Sequence, residues 1–348
     1  MINISAMEKT KQHVKKKNVI LGAGAAAIAG LAAAGSYGAF RMAFCGPGEE
    51  KRSDYCFPTS GQYAPYRESN IERVKSFSEL PWEAVETVSF DGLRLTGRYL
   101  HFSDISPTAI CFHGWHGTAL RDFCGGGPII RDLGFNLLLV DERAHGNSEG
   151  SFQSLGILER RDVLSWIDYA IERSPRKDPK IALYGISMGA ATVLMASGMN
   201  LPENVKMIAA DCPYSSVEAI IKKVSRDRGL PSDASWIAAR LSAKMWGGFD
   251  PKETDCMVQT ANCRLPILLI HGAADKFVPC DMSLEIFDAA VTGNRAKMKE
   301  YSDLRQVAEH SGVEIRREVF PDAGHGISYL VDTPRYQKVL KDFVLKHM

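Results

Sequence analysis

Five apolar runs of strand length, at 108–112, 136–140, 180–184, 205–210 and 266–270, constrain the fold of this chain more than any other feature. Short, largely apolar runs without alternation suit strands whose sheet is covered by helices on both faces. Between them lie helical patterns, 158–172 with Val163, Ile167, Ala170 and Ile171 at helical spacing, and 190–198. Strands alternating with helices imply an α/β fold, a mostly parallel central sheet with right-handed crossovers. Residues 85–90 and 93–100 flank Asp91-Gly92, the strongest short-range hairpin signal, so an antiparallel hairpin should lead into the sheet. An alternating run at 315–320 should close it.

About fifty residues separate the run ending near Asp211 from the one starting at Pro266, far more than an ordinary connection. Residues 217–224 and 235–245 look helical, and Trp236, Trp246 and Phe249 supply large apolar surfaces. The insertion, about 212–262, reads as a small helical lid over an active site, since covers tend to sit between functional elements. Ordinary peripheral helices are the other reading.

The run at 181–184 leads into Gly185-Ile186-Ser187-Met188-Gly189 and then into a helix rich in small residues. This is G-x-S-x-G in the strand-turn-helix setting of a nucleophile elbow. So tight a turn needs small residues two before and two after the serine, and Gly185 and Gly189 provide them. The turn would hold Ser187 Oγ at the carboxyl edge of the sheet, before a helix amino terminus whose N–H groups face developing negative charge.

A serine hydroxyl needs a neighbouring base. Of the nine histidines, His325 lies in the glycine-flanked Asp322-Ala323-Gly324-His325-Gly326, just after the last predicted strand. His145 and His271, near other strand ends, read as structural. The acid should stand between serine and histidine in chain order. Asp275, in the short loop after 266–270, meets that requirement and would fix the His325 tautomer. Asp211, which leads into the insertion, is the rival. An oxyanion hole needs two donors. The backbone N–H of Met188 is one, and the other should come from His113-Gly114-Trp115-His116-Gly117, with Trp115 as donor and its indole as a pocket wall.

Together these residues resemble the α/β-hydrolase superfamily, and within it the esterase and serine-aminopeptidase-like branch of bacterial membrane-anchored hydrolases. The likeness runs from about Trp82 to the carboxyl terminus. It also rests on Asp141-Glu142-Arg143-Ala144-His145-Gly146-Asn147-Ser148, similar to the family's D-x-R-G-H-G-x-S loop with Ala144 in place of the commoner glycine. The resemblance implies two-step acyl transfer through an acyl-enzyme, with no metal or organic cofactor. Cleavage of a carboxylic ester is the first expectation. A peptidase acting on short peptides uses the same machinery, and acyl transfer or a non-catalytic binding role on this scaffold are further alternatives.

The amino terminus adds a second theme. Lys15, Lys16 and Lys17 precede an uncharged stretch from 19 to 40, long enough to cross a bilayer as a helix. The expected division is a basic cytoplasmic tail at 1–17, an anchor or signal at 18–40, a polar linker at 41–79 and the hydrolase domain at 80–348. The lysines should stay in the cytoplasm and leave the domain outside. Cleavage near Ala32-Ala33-Ala34 would instead release a secreted protein.

Composition narrows the partners. With 42 Lys+Arg against 41 Asp+Glu, the net charge of +1 gives no field for nucleic acid. The expected partners are a small ester or short acyl substrate and the membrane. Eight dispersed cysteines without a CxxC pair argue against a zinc site or a disulfide scaffold. Cys111 and Cys212 read as buried small hydrophobes. Cys45 and Cys56 could pair in an oxidising compartment.

Overall fold

A computed structural model describes residues 33–45, 54–55, 57, 61–300 and 313–348, with the side chains of 294–300 left aside. Eight strands form one sheet in the order β1-β2-β4-β3-β5-β6-β7-β8. They are β1 (Glu83–Val88), β2 (Arg94–Leu100), β3 (Thr108–Phe112), β4 (Asn136–Val140), β5 (Ile181–Ile186), β6 (Val205–Asp211), β7 (Ile267–Gly272) and β8 (Ile315–Phe320). β1 pairs with β2 and β2 with β4 antiparallel, and every later pair is parallel. Every residue of β3, β4 and β7 is buried, so the uninterrupted apolar runs record strands covered on both faces.

The β1–β2 hairpin forms around Gly92, whose φ of +88° lies where glycine is favoured. Its turn is tied inward by Arg143, which is 2% exposed and donates to both Asp91 and Asp162. Arg143 thereby joins the hairpin to the helix Glu159–Arg173, and the loop following β4 is structural. Ala144 next to it has φ +59°, a left-handed backbone that explains why glycine is commoner there in the family it resembles.

One face of the sheet packs against the helices Glu159–Arg173 and Met188–Ala196. The second is buried at all nine residues, as a helix apolar on every side requires. On the other face, Val74, Phe77, Phe123, Ile130, Tyr336 and Phe343 form a second core. The insertion folds as the helices Val217–Asp227, Ser232–Ser242 and Cys256–Asn262, with a π-helical turn at Ala243–Gly247.

The structure corrects the sequence reading near the amino terminus. The expected linker contains a 3-10 turn at Gly61–Tyr66 and a helix at Arg67–Ser78 that buries Asn70, Val74 and Phe77. So few apolar positions among so many charges left no periodic signal. Of the expected anchor, residues 18–32 lie outside the described residues. Residues 33–40 begin a helix over 33–44 that is packed onto the domain, with Phe40 and Phe44 buried in its core. Among the described residues no helix is long and apolar enough to cross a membrane. Cys45 is a free thiol, and Cys56 lies outside the described residues.

Candidate active site

Three strand ends converge on one point. β5 runs straight into Ser187, which occupies the turn before the helix Met188–Ala196 with φ +55° and ψ −110°. That backbone is strained for a residue with a side chain, and such strain persists only where surrounding contacts enforce it. Here Ser187 N–H donates to the Asp211 carbonyl at 2.8 Å and Gly189 N–H to the His113 carbonyl at 3.0 Å. The two glycines are obligatory. A Cβ at Gly185 would stand 2.2 Å from the Gly189 carbonyl oxygen, and one at Gly189 would stand 2.0 Å from the Phe112 carbonyl oxygen.

The loop after β8 carries His325, whose Nε2 lies 2.9 Å from Ser187 Oγ. Its Nδ1 lies 2.7 Å from Asp275 Oδ2, on the loop after β7. Asp275 Oδ1 accepts from the N–H groups of Phe277 and Val278 at 2.9 and 2.8 Å. His271 Nε2 stands 3.4 Å from Asp275 Oδ2 and 2.9 Å from the Val278 carbonyl. Burial alone would raise the Asp275 carboxyl, but the bonds from His271, His325 and the Val278 N–H outweigh it and hold the group well below the usual carboxylate range. His271, expected to be structural, is fully buried against the acid.

Asp211 is placed elsewhere. Its Oδ2 accepts from Tyr336 Oη at 2.9 Å, and Tyr336 is in turn bonded to Tyr184. Burial pushes its carboxyl up to about 6, against the opposing bond from Tyr336. The two carboxylates at neighbouring strand ends thus differ in charge preference as well as in partner.

Met188 begins the elbow helix and is fully buried. Gly114 passes so close that a Cβ there would stand 3.2 Å from Ser187 Cβ, which brings Trp115 to the same site. The Trp115 ring stacks on His116 with centroids 3.7 Å apart, and its buried indole N–H has no acceptor among the described residues.

Two residues of the expected linker also belong here. Tyr63 Oη donates to the His325 carbonyl at 2.9 Å, and Gln62 Oε1 accepts from His325 N–H at 3.3 Å. Burial pushes the Tyr63 phenol up to about 12, so it stays a donor. Neither carries a motif; Tyr63 is one of the aromatics, with Tyr55, Phe57 and Tyr66, expected to pin this polar segment to the domain surface, and nothing in the sequence marks Gln62.

Ser187 sits between two cavities. One, of about 510 Å³, is almost wholly apolar and is bounded by Trp115, the insertion helices and the helix over 33–44. The other, of about 540 Å³, is lined by Tyr63, Arg121, Asp122, Asp211 and His325 and is markedly more polar. Both volumes lie within the range of small-molecule sites.

The sheet order, the elbow at its centre and the histidine beyond β8 define an α/β-hydrolase, and the chain is a serine hydrolase of that fold. The family described as X-Pro dipeptidyl-peptidase (S15 family) matches residues 47–234, just over half of the 348, and the chain belongs to it. That match includes Ser187 and ends before Asp275 and His325.

Among similar proteins, the uncharacterized protein YqkD of Bacillus subtilis is 24% identical over 271 residues, 78% of this chain and 81% of its own length. The esterase Pf2001 of Pyrococcus furiosus superposes with a TM-score of 0.60 at 20% identity, covering 79% of this chain and 94% of that one. The acylaminoacyl peptidase of Pyrococcus horikoshii gives 0.53 at 18% identity, covering 77% of this chain and 42% of its own. At such identities the two structures show a shared fold.

Proposed function

We propose that the protein cleaves carboxylic esters of apolar acids, with Ser187 as nucleophile, His325 as general base and Asp275 as the acid that orients the histidine. The observation that carries the mechanism is the continuous line Ser187 Oγ, His325 Nε2, His325 Nδ1, Asp275 Oδ2, with links of 2.9 and 2.7 Å. As Ser187 Oγ attacks the acyl carbon, its proton passes to His325 Nε2, and Asp275 stabilises the imidazolium. The oxyanion that develops takes up the N–H groups of Met188 and Trp115. His325 then returns the proton to the departing alcohol, leaving an acyl-enzyme, and activates a water that releases the acid.

What favours an ester over a peptide is the surroundings of Ser187. A peptide-cleaving enzyme that reads a chain terminus needs a charged anchor beside the scissile bond; the apolar cavity has a single charged lining residue, Arg228, and Arg121 and Asp122 of the polar cavity are paired with each other. A peptidase is the second reading. It is supported by membership of a family described as X-Pro dipeptidyl-peptidases and by Asp211, a residue lining the polar cavity whose buried Oδ1 has no partner among the described residues. A side-by-side assay separates them: p-nitrophenyl esters from acetate to octanoate against X-Pro and aminoacyl p-nitroanilides. Ester kcat/KM at least a hundredfold above that of any anilide is the expected result. The reverse order would transfer the site to peptide chemistry.

A further inference from the structure

The apolar cavity beside Ser187 has one wall that the hydrolase domain does not supply. Gly35, Gly38, Ala39 and Met42 line it from the helix over 33–44, facing Ile220 and Ala239 of the insertion. Their spacing of three, four and seven residues places them on one face of that helix. The opposite face fixes the helix in place. Phe40 and Phe44 are buried, with ring centroids 5.3 Å from Phe152 and 5.2 Å from Phe249 respectively. Gln153 N–H donates to the Phe44 carbonyl at 2.9 Å, and Trp246 Nε1 donates to Ser36 Oγ at 3.2 Å.

A Cβ built on Gly35 or Gly38 would meet nothing within 4 Å. The backbone at neither residue has the positive φ that would itself require glycine. Glycine inside a helix is unfavourable unless the absent side chain serves a purpose. Here the absent side chains leave room in a cavity that ends at the reactive serine.

We propose that the helix over 33–44 forms one wall of an acyl-chain site, and that Gly35 and Gly38 set the length of chain the enzyme accepts. The substrate is then an ester of a medium- to long-chain apolar acid, its alkyl chain lying between this helix and the insertion and its leaving group on the polar side of Ser187. The inference rests on the ester-hydrolase reading and names the substrate class of that site.

Burying one methylene is worth ~0.8 kcal/mol, about fourfold in kcat/KM, so turnover should climb by about that factor per added methylene until the cavity is filled. The test uses the full chain and p-nitrophenyl acetate, butyrate, hexanoate, octanoate and decanoate. Gly38→Leu and Gly35→Leu project side chains into the cavity while raising helix propensity, so both variants should fold. Each should lower the octanoate-to-butyrate ratio of kcat/KM at least tenfold. Arg41→Ala, on the same helix but outside the cavity, should keep the wild-type ratio. If both leucine variants keep the wild-type ratio while hydrolysing esters, the helix is no acyl wall and the proposal is wrong although the hydrolase reading stands. Failure of the wild type to turn over any ester would overturn both.

Discussion

Asp275 and Asp211 stand at the ends of neighbouring strands, and both precede His325 in the chain, so only their surroundings tell them apart. Asp275 accepts two backbone N–H groups and lies against two histidines, an environment that stabilises a carboxylate. Asp211 is buried against a tyrosine and pushed toward its neutral form. Replacing Asp275 with Asn should lower kcat by about 10⁴-fold, because the amide would favour the wrong histidine tautomer. Asp211→Asn keeps an acceptor for Tyr336 Oη and should lower kcat by less than about tenfold. Steady-state kinetics on one ester checks both, and a larger loss in Asp211→Asn would reverse the assignment. That Asp275 would lie beside His325 was legible because its loop is short and directly follows a strand, whereas Asp211 leads into the insertion. The supporting role of His271 was not, since a contact between residues 271 and 275 depends on how the loop folds back onto β7.

At the scale of elements, packing at the elbow leaves no room for a side chain at either glycine. The helix Met188–Ala196 begins against the carboxyl end of β3, and Gly189 is the point of closest approach. Gly189→Ala has to separate the two, and we expect it to destabilise the fold by about 3 kcal/mol, the upper end for overpacking. Urea denaturation measures this, and an unchanged midpoint would mean that the approach is looser than described. Five strands were legible from apolar runs, because burial on both faces writes itself into consecutive residues; the Asp-Gly turn marked the two of the hairpin and an alternating run marked the last. The helix Arg67–Ser78 was not, because it buries three residues amid charges. Residues 33–40, expected within the anchor or signal, pack onto the domain as part of the helix over 33–44. A small, uncharged sequence suits a lipid bilayer and a cavity wall equally well, and composition cannot separate the two.

Across the whole molecule, the exposed apolar side chains Tyr37, Met42, Ile237, Leu241, Met245 and Trp246 gather on that helix and on the insertion. Such a patch suits a surface that meets lipid. It supports the proposal that the amino-terminal segment, expected at 18–40 as an anchor or signal, holds the chain at a membrane with the domain on the extracytoplasmic side. The full chain should then remain in the membrane fraction after an alkaline carbonate wash, and its recovery in the supernatant would favour the cleaved, secreted form. The central claim is simpler and comes before the question of location: Ser187 is a nucleophile activated by His325. Its most direct test is to treat the protein with a fluorophosphonate, map the adduct by peptide mass spectrometry, and repeat with His325→Ala. The account predicts a single adduct on Ser187, formed at least a thousandfold more slowly in the variant. Labelling at another serine, or equal rates in the two proteins, would contradict it.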